Sequence, residues 1–159
     1  MIRNIETNDV EKAAKIWLDV NQKAHGFIPS AYWENHFERV KEMFFQTAQH
    51  ILLPTGDAPI PNERSIFVYE NADHHEIEGF IGVCSDYIEG IFVLENAQSQ
   101  GIGTQLISFA KSLKKQLSLH VYQKNTRAIK FYQKEQFQIQ TELTDENTGE
   151  QEYLMTWKR

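Results

Sequence analysis

Cysteine is nearly absent from this chain. Cys84 stands alone, so no internal disulfide can form, and a single thiol suits a reducing compartment. It falls in an expected strand, where a small thiol behaves as a buried hydrophobe. Long apolar runs are missing too: none approaches the ~20 residues of a membrane span, and Met1-Ile2-Arg3-Asn4-Ile5-Glu6 lacks the layout of a signal peptide. A cytoplasmic protein with no membrane partner is expected. Basic charge is in deficit, with 16 Lys and Arg against 22 Asp and Glu and a net charge of −6. That argues against a nucleic-acid partner, which wants a basic face, and is compatible with a cationic substrate such as a lysine, an N-terminus or a polyamine. No Cys or carboxylate spacing completes a metal site around the adjacent His74 and His75, which sit in a polar turn, so no metal is expected. Proline is scarce as well. Three of the four prolines, Pro54, Pro59 and Pro61, fall with Gly56 between Ile51 and Arg64. That stretch cannot be a regular helix or a central strand and reads as a long loop.

What remains is an ordinary globular composition, 41% hydrophobic and 24% charged over 159 residues. It reads as one domain, residues 1–159, long enough to bury a substantial core. Strands are expected at Ile2–Glu6 (β1), Ser65–Glu70 (β2), Ile77–Tyr87 (β3), Glu89–Leu94 (β4), Leu117–Tyr122 (β5), Gln138–Leu143 (β6) and Gln151–Trp157 (β7), the last two closing as a hairpin. Thr7-Asn8-Asp9 caps a first helix with Val10, Ala13, Ala14, Trp17 and Val20 at helical spacing. Ser30 caps a second with Trp33, Phe37, Val40 and Phe44.

Two stretches carry chemistry. Gln98-Ser99-Gln100-Gly101-Ile102-Gly103 lies between the apolar strand Ile91-Phe92-Val93-Leu94 and a helix beginning near Thr104. The free N–H groups and positive dipole end of a helix N-terminus attract phosphate, and glycine lets an anion approach the backbone. A Walker loop is excluded because no Gly-Lys-Ser/Thr string occurs. A dinucleotide fingerprint fails at Leu106, where a third small residue is required. The second stretch, a little over 20 residues on, runs from Leu119-His120-Val121-Tyr122 through Asn125, Ala128, Phe131 and Tyr132 to Phe137.

Together these stretches resemble the GNAT superfamily of N-acetyltransferases, with its Gln-x-x-Gly-x-Gly pyrophosphate loop and its Asn-x-x-Ala-x-x-Phe-Tyr helix. They look most like the RimI-like, protein-acetylating branch. His25-Gly26-Phe27-Ile28 with Tyr32-Trp33 is similar to some small bacterial members. The resemblance implies a mixed α/β fold: a central twisted, mostly antiparallel sheet of about seven strands, helices on both faces, and a splay between β4 and β5 that holds the thioester. It implies acetyl-CoA as cofactor and direct transfer to an amine in a ternary complex. The main chain of Ile91, Phe92 and Val93 is expected to bind the pantetheine. Ser99, Gln100, Gly101, Ile102, Gly103 and Thr104 are expected to wrap the pyrophosphate, and Asn125 to meet the pantetheine or stabilise the splay. Arg127 and Lys134 are candidates for the 3′-phosphate.

The resemblance implies that Tyr132, at the last position of the Asn-x-x-Ala-x-x-Phe-Tyr motif, protonates the departing sulfur. A phenol with an ordinary pKa near ~10 is protonated at neutral pH. The base position, often glutamate in the RimI-like branch, is His120. Strand alternation turns Leu117, Leu119 and Val121 one way and Ser118, His120 and Tyr122 the other, so His120 is expected to face the cleft, and imidazole is a suitable base near neutrality. His25, Glu89 and water are the competing bases. His25, Phe27 and Tyr32 form an expected substrate lip, where aromatic rings favour an alkylammonium chain. Gln136 departs from the glycine expected before Phe137 at the helix end. The expected activity is acetyl-CoA-dependent transfer to a primary amine, on a protein lysine or N-terminus, by a monomer or homodimer. The alternatives are a small-amine acetyltransferase and a non-catalytic acyl-CoA-binding module.

Overall fold

The computed structural model describes residues 1–52 and 64–159. Its elements run β1 (Ile2–Asn4), α1 (Val10–Ala24), α2 (Ser30–Leu52), β2 (Arg64–Glu70), β3 (Ile77–Cys84), β4 (Tyr87–Val93), α3 (Ile102–Leu113), β5 (Gln116–Tyr122), α4 (Thr126–Lys134), β6 (Gln138–Thr144) and β7 (Gln151–Lys158). The proline-bearing stretch lies outside the described residues, apart from Ile51 and Leu52, which end α2, and Arg64, which begins β2. The first strand is shorter than expected. The chain turns at Glu6 into a 3₁₀ turn, Thr7–Asp9, where Asp9 accepts the Glu6 N–H (2.7 Å) and pairs with Arg3 (2.7 Å).

The seven strands form one sheet in the order β1-β2-β3-β4-β5-β7-β6. Every neighbouring pair is antiparallel except β4 with β5. Strand alternation gives the sheet two apolar faces. Ile66, Val68 and Phe80 pack under α1 and α2 with Ala13, Ile16, Val40 and Phe44. Ile81, Val83, Leu117, Leu119 and Met155 pack under α3 and α4 with Leu106, Ile107, Ala110 and Tyr132.

One boundary corrects the sequence reading. Strand β3 ends at Cys84, and a two-residue turn, Ser85-Asp86, follows it, with Ser85 at φ 57°. Tyr87 therefore opens β4 instead of closing β3. A β-bulge follows: Val83 pairs with Ile88 and Gly82 with Gly90, so Glu89 is the extra residue. A bulge bends its strand and increases the local twist, and here it lies where β4 leaves β5.

Candidate active site

The cleft begins where β4 and β5 separate. Tyr87 pairs with Ser118, and the Ser118 N–H reaches Asp86 O at 2.9 Å. Beyond that point the strands share no further pair. Leu94 N–H donates to Glu78 O at 2.9 Å. Antiparallel alternation from that bond sends the N–H and C=O of Phe92 to Phe80 in β3, and those of Ile91 and Val93 to the opposite, open edge. Of the three residues expected to hold a cofactor arm through their main chain, Ile91 and Val93 thus present backbone groups to the gap. Phe92 instead contributes its ring, which stacks on Phe80 (5.0 Å) and lies over Gly90, where a Cβ would come within 2.4 Å of it. The Gln98 amide donates to Val93 O at 2.9 Å and ties the following loop to the strand end.

That loop has the form of an anion cradle. Ser99 and Gly101 adopt left-handed φ values of 63° and 87°, and nothing lies within 4 Å of a Cβ placed on Gly101. The Gln105 N–H finds Gly101 O at 3.0 Å. The preceding N–H groups of Ile102, Gly103 and Thr104 have no acceptor within the helix, as at any helix start. Arg127 Nη2 donates to Ser99 Oγ at 3.3 Å, adding a positive charge at the loop. Open N–H groups, a helix dipole and a guanidinium together fit a phosphate-bearing group. Gly103 has a second role, since the Phe131 ring lies 3.2 Å from where its Cβ would be and presses α4 onto α3. The Thr104 hydroxyl is turned to Glu135 (2.9 Å), so only its backbone faces the loop. Lys134 is exposed in the last turn of α4.

A cleft of about 260 Å³ runs on from the gap, and Tyr132, Asn125, His25, His120, Tyr87 and Glu152 are among its lining residues. Tyr132 is buried against Phe131 and Phe137. Burial, reinforced by Tyr87, raises its phenol above the usual range, so it stays protonated and can donate. Asn125 caps α4: its side-chain oxygen accepts the Ala128 N–H at 3.2 Å. That bond orients the amide, so Nδ2 donates to His25 Nε2 at 3.2 Å. The remaining proton of His25 then sits on Nδ1, and the ring stacks on Trp33 at 5.3 Å. Burial lowers the His25 pKa from 6.5 to about 4, against a smaller opposing effect of the Asn21 backbone. The ring is neutral, with its basic nitrogen occupied, which disfavours it as a base. Glu89 is disfavoured too, because Arg64 holds both its oxygens (2.6 and 3.0 Å).

His120 faces away from the core, as alternation requires, while Leu117, Leu119 and Val121 are buried. Its Nδ1 lies 2.7 Å from the Tyr87 hydroxyl. Burial, with a contribution from Glu152, pushes the Tyr87 phenol up to about 12, so the hydroxyl keeps its proton and donates to Nδ1. Sequence reasoning missed Tyr87, and it missed Glu152, which the pairing of β7 with β5 places opposite Tyr122. At the lip, Phe27 packs edge-on against His25 and Tyr122 (both 5.7 Å), and Tyr32 packs against Trp33 (4.9 Å) and His36 (4.5 Å). Phe27 and Tyr32 brace the cleft wall from outside; Trp17 and Trp33 line it. Among the described residues no His/Cys/Asp/Glu group could hold a metal, and no helix is long and apolar enough to cross a membrane.

A mixed sheet opening between two parallel strands, beside a glycine turn that starts a helix, fits a phosphate-bearing ligand whose arm lies in the gap. The comparisons agree. The family model described as an acetyltransferase (GNAT) domain matches residues 62–139. The Escherichia coli (strain K12) peptidyl-lysine N-acetyltransferase YiaC is 26% identical over 158 residues, covering 99% of this chain and 96% of its own. Two solved structures share the fold. Apo-form YjaB from Escherichia coli has a TM-score of 0.77 at 19% identity, covering 99% of this chain and 96% of its own. The PaiA N-acetyltransferase of Thermoplasma acidophilum, in complex with coenzyme A, has a TM-score of 0.79 at 18% identity, covering 100% and 98%. Residues 62–139 thus match a GNAT acetyltransferase domain, and the chain is similar along nearly its whole length to a named N-acetyltransferase. The match is to GNAT as a whole and singles out no RimI-like branch within it.

Proposed function

We propose that this protein moves an acetyl group from acetyl-CoA to the side-chain amine of a protein lysine, by direct attack within a ternary complex. The observation that carries this reading is the convergence in one cleft of a buried, protonated Tyr132, a Tyr87–His120 pair and the open edge of β4. The named activity of YiaC, similar along nearly the whole chain, favours peptidyl-lysine as acceptor. We place the enzyme in the cytoplasm, a reducing compartment that suits a chain with one cysteine.

Acetyl-CoA supplies an acyl group activated as a thioester. Residues Ser99 to Thr104 and Arg127 would hold its phosphates, and the open N–H and C=O of Ile91 with the N–H of Val93 would hold its arm as an added strand. A lysine amine has an ordinary pKa of ~10.4 and must shed a proton to attack. Tyr87 receives that proton at its hydroxyl oxygen while passing its own to His120 Nδ1, and exposed His120 releases it to water. Tyr132 would give its proton to the departing sulfur as the C–S bond breaks and the C–N bond forms; the second proton of the attacking nitrogen would leave by the same Tyr87–His120 route, and Tyr132 would regain its own from solvent.

The test follows free thiol in the presence of acetyl-CoA and lysine peptides, polyamines or aminoglycosides. Thiol release that depends on peptide and falls about 10²-fold or more in Tyr132→Phe supports the reading. Release with small amines alone would replace the acceptor. Acetyl-CoA binding without release from any pool would refute catalysis in favour of a binding module.

A further inference from the structure

Glu152 lines the cleft, half-buried on β7 opposite Tyr122. Its backbone carbonyl accepts from Gln123 (3.3 Å), but its carboxylate has no ion pair or donor among the described residues. The neighbouring acids differ. Arg64 holds Glu89, Lys124 meets Glu150 at 3.1 Å, and Asp145 accepts the Tyr122 hydroxyl at 2.7 Å. An unpaired carboxylate taken partly out of water is costly, and a cation at the same place removes the cost. It shares the cleft with His25 at the lip and Tyr87 at the gap, so it lies along the path that joins them. The walls along that path include the rings of Trp33 and Tyr122, surfaces that favour an alkylammonium chain.

We propose that Glu152 is the specificity-determining residue of the acceptor side, capturing the acceptor in its charged ammonium form before the amine moves on to Tyr87. Its role is capture, not deprotonation. A carboxylate in contact with an ammonium stabilises the charged form and opposes loss of the proton, which is left to the Tyr87–His120 pair. An acceptor lacking a positive charge gains nothing at this position, so neutral arylamines and hydroxyls are selected against. The inference rests on the acetyltransfer reading for its place in the reaction, but binding tests it separately.

Trp17 and Trp33 report occupancy by fluorescence. The probes are Nα-acetyl-lysine amide and its neutral counterpart Nα-acetyl-norleucine amide, titrated into the full chain with coenzyme A present. Wild type should bind the cationic probe about tenfold more tightly, the scale of a charge-assisted hydrogen bond. Glu152→Gln should remove that preference, and Glu152→Asp should keep part of it. In turnover, Glu152→Gln should raise KM for the acceptor and leave KM for acetyl-CoA unchanged. Equal preference in wild type and Glu152→Gln, or no preference in wild type, overturns the proposal. A pH profile whose acid limb vanishes in Glu152→Gln also overturns it, by making Glu152 the base. Charge-selective binding without turnover by any acceptor would uphold Glu152 and defeat the acetyltransfer reading.

Discussion

His25 makes folding stability depend on pH, and the size of the effect follows from its surroundings. The Asn125 amide is oriented by the α4 cap and donates to His25 Nε2, so protonating that nitrogen would set two donors against each other in a half-buried site. The folded pKa of about 4 lies below the ordinary 6.5. Between those values the unfolded chain binds a proton that the folded chain refuses. The contribution is therefore fully present above about pH 6.5 and is lost as pH falls towards 4. Linkage over this shift gives a loss of about 2 kcal/mol between about pH 7.5 and about pH 5. Urea unfolding followed by tryptophan fluorescence measures it, at about 1 M in midpoint for a typical slope. His25→Gln removes the titration. Whatever packing it loses against Trp33 is independent of pH and cancels when the two pH dependences are subtracted. If wild type and His25→Gln lose stability in parallel over this range, the Asn125–His25 arrangement does not exist in solution.

Three other perturbations probe separate parts of the site. Tyr87→Phe and His120→Ala should each lower kcat, by about 10²-fold, and the double variant should be little worse than either alone, because a relay fails when one member is missing. Additive losses in steady-state kinetics would separate the two residues. Gly101→Ala forces a side chain into φ 87° with open space around it, so it should cost about 1 kcal/mol of backbone strain and raise KM for acetyl-CoA; an unchanged KM would remove the loop from cofactor binding. Gln136→Gly relieves a left-handed residue at φ 73° at the end of α4 and should stabilise the fold by up to about 1 kcal/mol, seen as a higher Tm with unchanged turnover.

Much of the architecture is legible in the sequence because its signals are local. Asn125 as a cap, His120 opposite the buried Leu119 and Val121, the strained Gln136 and the glycine turn at Gly101 each follow from a few adjacent residues. Tyr87 does not. The Ser85-Asp86 turn carries no glycine or Asn-Gly signal, so β3 and the start of β4 read as one strand. The bulge at Glu89 then shifts the alternation, so period-2 counting from Ile91 gives the wrong phase for Tyr87. Gly90, which makes room for the Phe92 ring, is the one local hint that the strand is irregular there.

Glu152 was out of reach for a different reason. Its partner across the sheet is Tyr122, thirty positions away in the chain, and only the register of β5 against β7 brings a carboxylate to the cleft. A slip of one residue would send Tyr153 there and turn Glu152 into the core beside Val121. The apolar residues Leu119 and Met155, paired and both buried, hold that register. The packing of the core beneath the sheet thus sets which charge the acceptor meets above it. For that reason Met155→Ala should loosen the cleft's charge selectivity as well as the fold, although Met155 touches neither substrate. A buried methionine cut to alanine costs about 2–5 kcal/mol. Selectivity for the cationic probe that stays intact in a folded but destabilised Met155→Ala would show that the β5–β7 ladder holds register without this contact.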